Sequence, residues 1–421
     1  MSRLIIHKPQ LSDKNDRLIL KYVITVKDDS GIEKSGDLWF SFASKYRPFI
    51  CDEVCDGVVV MLLRCCIIGG HDIESELPMT DRLYYEIVHQ FLPQIVLQNP
   101  GAHQVKLMVN TVCPDWRPTA VATAMSCGID SLTTYYEHTS DQIPENYRIT
   151  HLTFFEQGAH HSGGGTTWAE QDKLFHAQLA KVKTFCETIQ CELIDIQSNI
   201  AGKDGFVSNL LFYEYYETVH TYRNMGFVLL LQKLIKTYYY SATYYLDQLS
   251  YSLHADSSFY EKFLLPILST QYTTFFSTNS FLTRLEKIKQ LSSIPQTYDN
   301  VLVCYKEGYN CGTCKKCWRT MLEMEVLGVL DLYKGSFDVA TFRDNYEYYL
   351  TKMLLMRRDE PLMEEIYKYM MTHEIKIPEK CFREAHRIER QRKWKKSRFR
   401  RLLSKLKRKI FTNQGPLRSQ L

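Results

Sequence analysis

Long apolar runs are absent from this 421-residue sequence, and so is a secretory leader. The longest apolar runs, at 58–63 and 227–231, fall far short of the roughly 20 residues of a membrane-spanning helix. The N-terminus, MSRLIIHKPQ, lacks the apolar segment and the small-residue cleavage site of a signal peptide. These absences predict a cytoplasmic protein.

A disulfide framework is not indicated either, although cysteine is frequent. Thirteen cysteines in a chain of this length, four of them close together, fit a reducing compartment better than an oxidising one. Small apolar packing is the simplest role for Cys51, Cys55, Cys65, Cys66, Cys113, Cys186, Cys191 and Cys381.

The net charge is low overall but strongly uneven along the chain. The formal charge is +4, yet residues 378–421 contain 16 Lys and Arg against 3 Asp and Glu. Within this basic tail, Leu402, Leu403, Leu406 and Ile410 have helical spacing, which predicts a basic amphipathic helix. Such a tail suits a polyanionic partner, either RNA or the anionic inner surface of the membrane, where the protein would be peripheral. A solvated, partly ordered tail is the alternative interpretation.

Four cysteines, Cys304, Cys311, Cys314 and Cys317, follow the pattern C-x6-C-x2-C-x2-C. Thiolates at this spacing can converge on one tetrahedral zinc ion at about 2.3 Å, and four of them close its coordination shell. We therefore predict a structural Zn²⁺ site with no open position for chemistry. Four unrelated buried cysteines are the alternative, and a redox C-x-x-C pair would leave two thiols unexplained.

The spacing of apolar residues divides the chain into four regions. Residues 1–115 alternate in strand-like runs and then turn helical, which predicts a small α+β domain. Residues 116–300 alternate strand and helix, which predicts an α/β domain with a parallel sheet and helices on both faces. Residues 301–377 combine the zinc pattern with helical spacing, and 378–421 form the basic tail.

A candidate phosphate loop follows the predicted strand AVATAM at 120–125. The strand runs directly into a polar turn and then a helix, and the turn consists of Ser126, Cys127, Gly128, Ile129, Asp130 and Ser131. A tight turn here points backbone N–H groups outward at the positive end of the helix dipole, where phosphate binds. Ser126 and Ser131 add hydroxyl donors, and Asp130 can hold the Mg²⁺ that a polyphosphate needs. An ordinary helix cap is the alternative, and the lysine of a Walker A motif is absent.

This loop resembles the SGGxDS motif of the PP-loop ATP pyrophosphatases, and the cysteine pattern resembles that of one branch, 7-cyano-7-deazaguanine synthase. The stretch 151–161 is similar to the second strand and polar loop of that family, and Arg223-Asn224 matches its Arg-Asn at a helix start. Residues 282–286 are similar to its Leu-Asn-Lys-Ala-Glu helix start. The resemblance covers about residues 118–330 and implies that 116–300 is a nucleotide-binding domain with the HUP/PP-loop-like fold.

Two departures from the family pattern bear on activity and substrate. Cys127 replaces the first glycine of SGGxDS. The segment after the second strand is expanded with HHSGGGTTW, and residues 1–115 and 331–421 have no counterpart in the synthase. These differences predict a different substrate.

The resemblance implies an ATP-dependent, C–N bond-forming ligase. Such an enzyme adenylates a small carboxylate or a sugar acid, releases pyrophosphate, and gives an amide or a nitrile. The loop at 126–131 would bind ATP with Mg²⁺, and we expect Asp130, Arg223 and Arg284 to be catalytic, the arginines through planar contacts to anionic groups. Structural ion pairs are the alternative role for both arginines. A homodimer is the expected assembly.

Three further interpretations remain open. His160 and His161 could bind substrate or exchange protons, or could lie exposed without a function. A PP-loop tRNA sulfurtransferase would use Cys127 or Cys113 as its sulfur carrier. A zinc-containing protein without catalytic activity would use the basic tail to bind nucleic acid.

Overall fold

The computed structural model describes residues 2–159, 166–251, 256–304 and 308–394. Three sequence predictions lie outside these residues, namely the histidine pair at 160–161, the glycine-rich run at 162–165 and the amphipathic helix around 402–410. Within the described ranges, no helix is long and apolar enough to cross a membrane.

The strands of the described chain are numbered in chain order. They are β1 (Ser2–Ile6), β2 (Gln10–Lys14), β3 (Arg17–Lys27), β4 (Glu33–Ala43), β5 (His71–Ser75), β6 (Met79–Thr80), β7 (Leu107–Met108), β8 (Thr111–Val112), β9 (Ala120–Ala124), β10 (His151–Phe155), β11 (Glu192–Ser198), β12 (Ile235–Ser241) and β13 (Thr274–Thr278).

The α-helices are numbered in the same way. They are α1 (Asp56–Gly69), α2 (Asp81–Tyr85), α3 (Leu92–Gln98), α4 (Ile129–His138), α5 (Trp168–Thr188), α6 (Phe206–Leu210), α7 (Tyr216–Leu229), α8 (Glu261–Leu268), α9 (Arg284–Leu291), α10 (Lys315–Val326), α11 (Val339–Asp344), α12 (Tyr346–Met356) and α13 (Pro361–Thr372). Residues 379–394 are also helical.

Most strands join one eleven-stranded sheet in the order β13-β12-β9-β10-β11-β4-β3-β1-β5-β7, with β2 paired to β3. The five strands from β13 to β11 are all parallel to one another. Strands β1, β5 and β7 form a second parallel group, and β3 and β4 join the two groups through antiparallel pairs. The fold is therefore mixed α/β with a mostly parallel central sheet, which confirms the predicted class at this coarse level.

The order of the five parallel strands creates a crevice at one edge of the sheet. Strand β9 is the first of them in the chain, and β10 and β12 lie on either side of it. The connections therefore run in opposite directions across the sheet from β9, which leaves a gap between them at the carboxyl ends of the strands. Doubly wound sheets bind their ligands in a crevice of this kind.

Strand β4 links the N-terminal strands to the parallel group. Phe40 and Ser41 pair with the last residues of β11 in antiparallel register. Next to this junction, Arg17 Nη1 lies 2.9 Å from Asp195 Oδ2. The N-terminal strands thus share their backbone hydrogen bonds with the α/β region, and the predicted domain boundary at residue 115 stays a prediction.

Helices cover both faces of the parallel strands. Along β9, Ala120 and Ala122 face a core that contains residues of α1, α7 and α8. Val121, which points the other way, belongs to a second core with residues of α4, α5, α9, α10, α12 and α13. The alternation follows from the two-residue period of a strand. It places the cysteine-rich C-terminal part on the same face as α4.

Helices α1 and α7 cross at two glycines, Gly57 and Gly226. A substitution at this crossing tests how closely α1 of the N-terminal part packs on α7. A Cβ added to Gly226 would lie 2.6 Å from the carbonyl oxygen of Gly57, and one added to Gly57 would lie 2.7 Å from the Gly226 carbonyl oxygen. We expect Gly226→Ala to lower the free energy of unfolding by about 1–3 kcal/mol, because backbone must move to admit the methyl group. Chemical denaturation measures this change.

Gly101→Ala is the matched control for this prediction. A Cβ at Gly101 meets no atom within 4 Å, so that variant should be nearly as stable as the parent. Equal stability of the two variants would contradict close packing of α1 on α7.

Candidate functional site

The turn after β9 occupies the crevice at the carboxyl edge of the sheet. Gly128 is the N-cap residue of α4, so the turn opens a ten-residue helix as the sequence predicted. Ser126 is exposed, and its Oγ lies 3.2 Å from Ser131 Oγ and 3.3 Å from the Gly128 amide nitrogen. Ser131 Oγ also donates to the Gly128 carbonyl oxygen at 3.0 Å, so both hydroxyl groups lie beside Gly128 at the positive end of α4.

Cys127 adopts a backbone conformation that favours glycine. Its φ of +56° lies in the left-handed region, where a side chain costs about 1–2 kcal/mol. The side chain points into the protein and is 2% exposed, so burial raises the pKa of the thiol to about 12. The Cys127 carbonyl oxygen accepts a 2.8 Å hydrogen bond from the amide of Leu302. The thiol is thus protonated at neutral pH, and the turn is tied to the segment that leads to the cysteine cluster.

The Asp130 carboxylate forms ion pairs with two cationic side chains of α9. Its Oδ2 lies 2.5 Å from Arg284 Nη1, and its Oδ1 lies 3.0 Å from Lys287 Nζ. Burial opposes ionisation of Asp130, but these two cations outweigh it and lower the pKa to about 2. The Lys287 ammonium also donates to the Ala242 carbonyl at the end of β12. This arrangement joins the carboxyl ends of β9 and β12 across the crevice.

Helix α10 extends this cluster by two more buried charges. Glu323 Oε2 lies 3.5 Å from Arg284 Nε, and Glu323 Oε1 lies 3.2 Å from Arg319 Nε. Burial raises the pKa of Glu323, and the two arginines oppose that rise. Asp130, Lys287, Arg284, Glu323 and Arg319 therefore form one chain of ion pairs, which we call the charge cluster.

The charge cluster does not have the donor set of a magnesium site. Both oxygens of Asp130 accept hydrogen bonds from cations, and both oxygens of Glu323 lie within 3.5 Å of an arginine nitrogen. Mg²⁺ prefers oxygen ligands in an octahedral shell that retains several waters, and an ammonium group and a guanidinium group hold the Asp130 oxygens here. Positive charge at this edge is supplied by Arg284, Lys287 and Arg319.

Arg223 lies beside the segment that follows β10, away from the charge cluster. Its Nη1 donates to the Gln157 carbonyl oxygen at 3.1 Å, and its Nε has no hydrogen-bond partner among the described residues. Gly158 makes this approach possible, because it has a φ of +109° and a Cβ there would lie 3.0 Å from Nη1. Burial lowers the pKa of Arg223, and Glu214 opposes that shift. A buried guanidinium with an unused donor is suited to an anionic ligand.

Glu156 directly follows β10, one residue before the Gln157 carbonyl that Arg223 contacts, and was not singled out by sequence reasoning. Its Oε2 accepts from the Ser198 amide at 3.1 Å, whereas its Oε1 has no partner among the described residues. The residue is 2% exposed, and burial raises its pKa to about 8. A carboxyl group of this kind can gain or lose a proton near neutral pH.

The four predicted zinc ligands come together at the start of α10. One ligand atom from each of Cys304, Cys311, Cys314 and Cys317 lies within 4.8 Å of the others. Cys314 Sγ is 3.4 Å from Cys317 Sγ and 4.0 Å from Cys304 Sγ, close to the roughly 3.8 Å expected around a tetrahedral ion with 2.3 Å bonds. These residues fit a metal ion such as zinc, and all thirteen cysteines are free of disulfides.

The cysteine cluster is linked to the turn after β9 by two routes. Leu302, two residues before Cys304, donates its amide to the Cys127 carbonyl oxygen. Cys314 and Cys317 begin α10, which presents Arg319 and Glu323 to the charge cluster. A metal that fixes the start of α10 would therefore also fix the groups that hold Asp130.

Sequence reasoning found part of this site. It singled out Asp130 and Arg284, and the structure pairs them directly. It missed Lys287, Arg319 and Glu323, although spacing offered a signal. Lys287 lies one helical turn after Arg284, and Arg319 and Glu323 form an i,i+4 pair on the helix that the cysteines begin.

These features define an α/β protein with a polar turn in the crevice of a mostly parallel sheet and a cysteine cluster that could hold a metal ion. No family model matches the chain, and no curated protein and no solved structure matches it significantly.

Removal of one cysteine of the cluster tests the metal site. We expect Cys314→Ser to lose bound zinc and stability together, because binding of a structural metal is part of the folding free energy. Metal analysis of the purified protein and thermal unfolding measure the two effects. Cys113→Ser, at an exposed cysteine outside the cluster, should keep both. A Cys314→Ser protein that melts like the parent would contradict a structural site.

The buried carboxyl of Glu156 predicts a pH dependence of stability. Between the ordinary pKa of 4.5 and the folded value of about 8, the folded state binds more protons than the unfolded state. The free energy of unfolding should therefore fall as the pH rises through this window. Denaturation at several pH values should give a shallower fall for Glu156→Gln.

Glu261 provides an internal comparison for that prediction. It is fully buried, and burial raises its pKa to about 8 as well. Glu261→Gln should also flatten the curve, and the double variant should be flatter than either. An unchanged slope in Glu156→Gln would indicate that Glu156 is ionised in the folded protein.

Proposed function

We propose that the protein is an ATP-dependent adenylating enzyme that activates a carboxylate for C–N bond formation and releases AMP and pyrophosphate. The observation that carries this proposal is the polar turn at 126–131, which opens α4 in the crevice of the sheet beside Arg284 and Lys287. Cations and helix N-termini at such a crevice suit a polyphosphate. The resemblance to PP-loop pyrophosphatases supports the same chemistry.

Each part of the site has a role in this proposal. The amides and hydroxyls of the turn bind the departing pyrophosphate, with Ser126 exposed toward the ligand. Arg284 and Lys287 neutralise phosphate charge, and Asp130 positions both of them. Arg223 holds the carboxylate through its unused donor. Preorganised charges of this kind lower the barrier of acyl and phosphoryl transfer.

In the proposed reaction, Glu156 acts as the base in the second half, the formation of the C–N bond. The C–N bond forms as the bond between the acyl carbon and the AMP oxygen breaks, and AMP leaves. The attacking nitrogen loses a proton, and Glu156 Oε1, which has no partner among the described residues, accepts it. A pKa of about 8 matches this task at neutral pH.

Zinc, if bound, would stabilise the structure and would take no part in the reaction. Four thiolates would close its coordination shell. Cys304, Cys311, Cys314 and Cys317 would hold it, so its effect would reach the turn through Leu302 and α10.

The tRNA sulfurtransferase remains the second candidate, but two observations weigh against it. A sulfur carrier needs an accessible thiolate, whereas the Cys127 thiol is buried and its pKa is raised to about 12. Cys113 Sγ lies 3.8 Å from the hydroxyl of Tyr272, just before β13 begins. That position is at the amino edge of the parallel strands, opposite the turn after β9.

The adenylation proposal predicts pyrophosphate release that depends on Ser126. With ATP, glucuronate and ammonium as probes, Ser126→Ala should slow release by about tenfold, because it removes one hydrogen bond to a charged group. Asp130→Asn should slow it further, since it disrupts the positions of Arg284 and Lys287. Ser140→Ala, just past the other end of α4, should match the parent.

Product analysis separates the two halves of the reaction. Glu156→Gln should still release pyrophosphate but should form less amide. Absence of pyrophosphate release with every carboxylate tested would overturn the proposal, and salt-sensitive tRNA retention through residues 390–421 would favour a nucleic-acid-binding protein.

A further inference from the structure

A cavity of about 350 Å³ lies beyond β11, where the N-terminal strands meet the α/β region. Trp39 of β4 and Trp168 at the start of α5 provide its aromatic surface. Polar groups complete the lining, among them Lys34, Asp37, Asn199 and Asp204. Its size is at the lower end of small-molecule sites. None of these residues belongs to the charge cluster or to the turn after β9.

The Trp168 ring is held rigidly. Its indole Nε1 donates to the Ser198 carbonyl at 3.0 Å, and its backbone amide donates to Asp204 Oδ1 at 2.6 Å. Gly202, with a φ of +103°, packs against it so closely that a Cβ would lie 2.7 Å from the Trp168 amide nitrogen. The ring is therefore ordered before any ligand arrives, which lowers the entropy cost of binding.

Trp39 meets Trp168 at nearly a right angle. The ring centroids are 6.0 Å apart and the planes differ by 82°. Asn199 fixes the other side of Trp39, because its Oδ1 accepts from the Trp39 amide at 3.0 Å and its Nδ2 donates to the Asp37 carbonyl at 2.8 Å. The two indoles form a corner. A compact ring in this corner contacts the face of one indole and the edge of the other, whereas a flat base cannot stack between two indoles at this angle.

The charges around this corner balance, unlike those at the turn after β9. Asp37 and Asp204 place two carboxylates at the cavity, Lys34 donates to the Asn209 carbonyl oxygen, and Lys21 Nζ lies 3.2 Å from Asp37 Oδ2. The carboxylate oxygens can accept hydrogen bonds from hydroxyl groups, and the absence of a net positive charge from these four groups gives no attraction to phosphate. The cavity thus suits a neutral ligand with many donors.

The cavity opens on the same edge of the sheet as the turn after β9. Ser198 ends β11, and β10 lies between β11 and β9. Two strand spacings of about 4.8 Å separate the corner from the turn by roughly 10 Å along the edge. Glu156 lies between them, since it is hydrogen-bonded to the Ser198 amide.

We propose that this tryptophan corner is a binding site for a neutral saccharide ring, whose C–H face packs on an indole and whose hydroxyls donate to the surrounding carboxylates. Aromatic faces and carboxylate acceptors together match the two kinds of surface of a sugar. The site goes beyond the proposed adenylation and does not depend on it, because saccharide binding needs no ATP.

Saturation-transfer NMR without nucleotide tests this site. The probes are methyl β-glucoside and N-acetylglucosamine, with glucose 6-phosphate and adenosine as comparisons. We expect saturable binding of a neutral saccharide and no gain in affinity from the phosphate group of the sugar phosphate. Trp39→Leu should weaken saccharide binding about tenfold through loss of an aromatic contact.

Trp116→Leu is the matched control. Trp116 packs on Tyr272 at the opposite edge of the strands. The Trp116→Leu variant should therefore bind saccharide like the parent. Thermal unfolding establishes that both variants are folded. Absence of saturable saccharide binding to the parent, equal binding by Trp39→Leu, or preference for adenosine would overturn the proposal. Each of these outcomes leaves the pyrophosphate assay unaffected.

Discussion

The charge cluster holds three separate stretches of the chain in one arrangement. Asp130 begins α4, Arg284 and Lys287 belong to α9, and Arg319 and Glu323 belong to α10. Lys287 and Glu323 are at most 1% exposed, so each needs its opposite charge. Removal of one partner from such a buried network costs about 3–5 kcal/mol, because the remaining charge is left without compensation. The position of the turn after β9 therefore depends on helices that lie far away in the sequence.

The cysteine cluster acts on the same turn from its other side. The amide of Leu302 bonds to the carbonyl of Cys127, a residue with a φ of +56° that a side chain rarely adopts. Contacts from outside the turn must stabilise this conformation, since the local backbone disfavours it. A metal bound by the four cysteines would order both Leu302 and the start of α10. A bound metal and the charge cluster would thus both stabilise the same conformation of the turn.

Three chemically different surfaces lie side by side along the carboxyl edge of the sheet. Cations lie near the ends of β9 and β12, Glu156 and the Gln157 carbonyl that accepts from Arg223 lie after β10, and the tryptophan corner lies after β11. A ligand with a polyphosphate, a carboxylate and a sugar ring would find a matching surface for each group. The corner exists only because β4 pairs with β11, which brings Trp39 from the N-terminal strands to this edge. Residues 1–115 thereby contribute Trp39 to this edge of the sheet.

Local patterns in the sequence determined several elements and two motifs. The run AVATAM became β9, the turn that begins with Ser126 opened α4, and the spacing of Cys304, Cys311, Cys314 and Cys317 predicted their convergence. Each of these depends on residues close together in the chain, where period and spacing reflect backbone geometry. Tertiary structure alone decided that β4 pairs with β11, that Lys287 and Glu323 join Asp130 and Arg284, and that Trp39 meets Trp168. These contacts join residues separated by roughly forty to one hundred and sixty positions, and their free energy arises from burial and charge pairing between segments that are distant in the sequence.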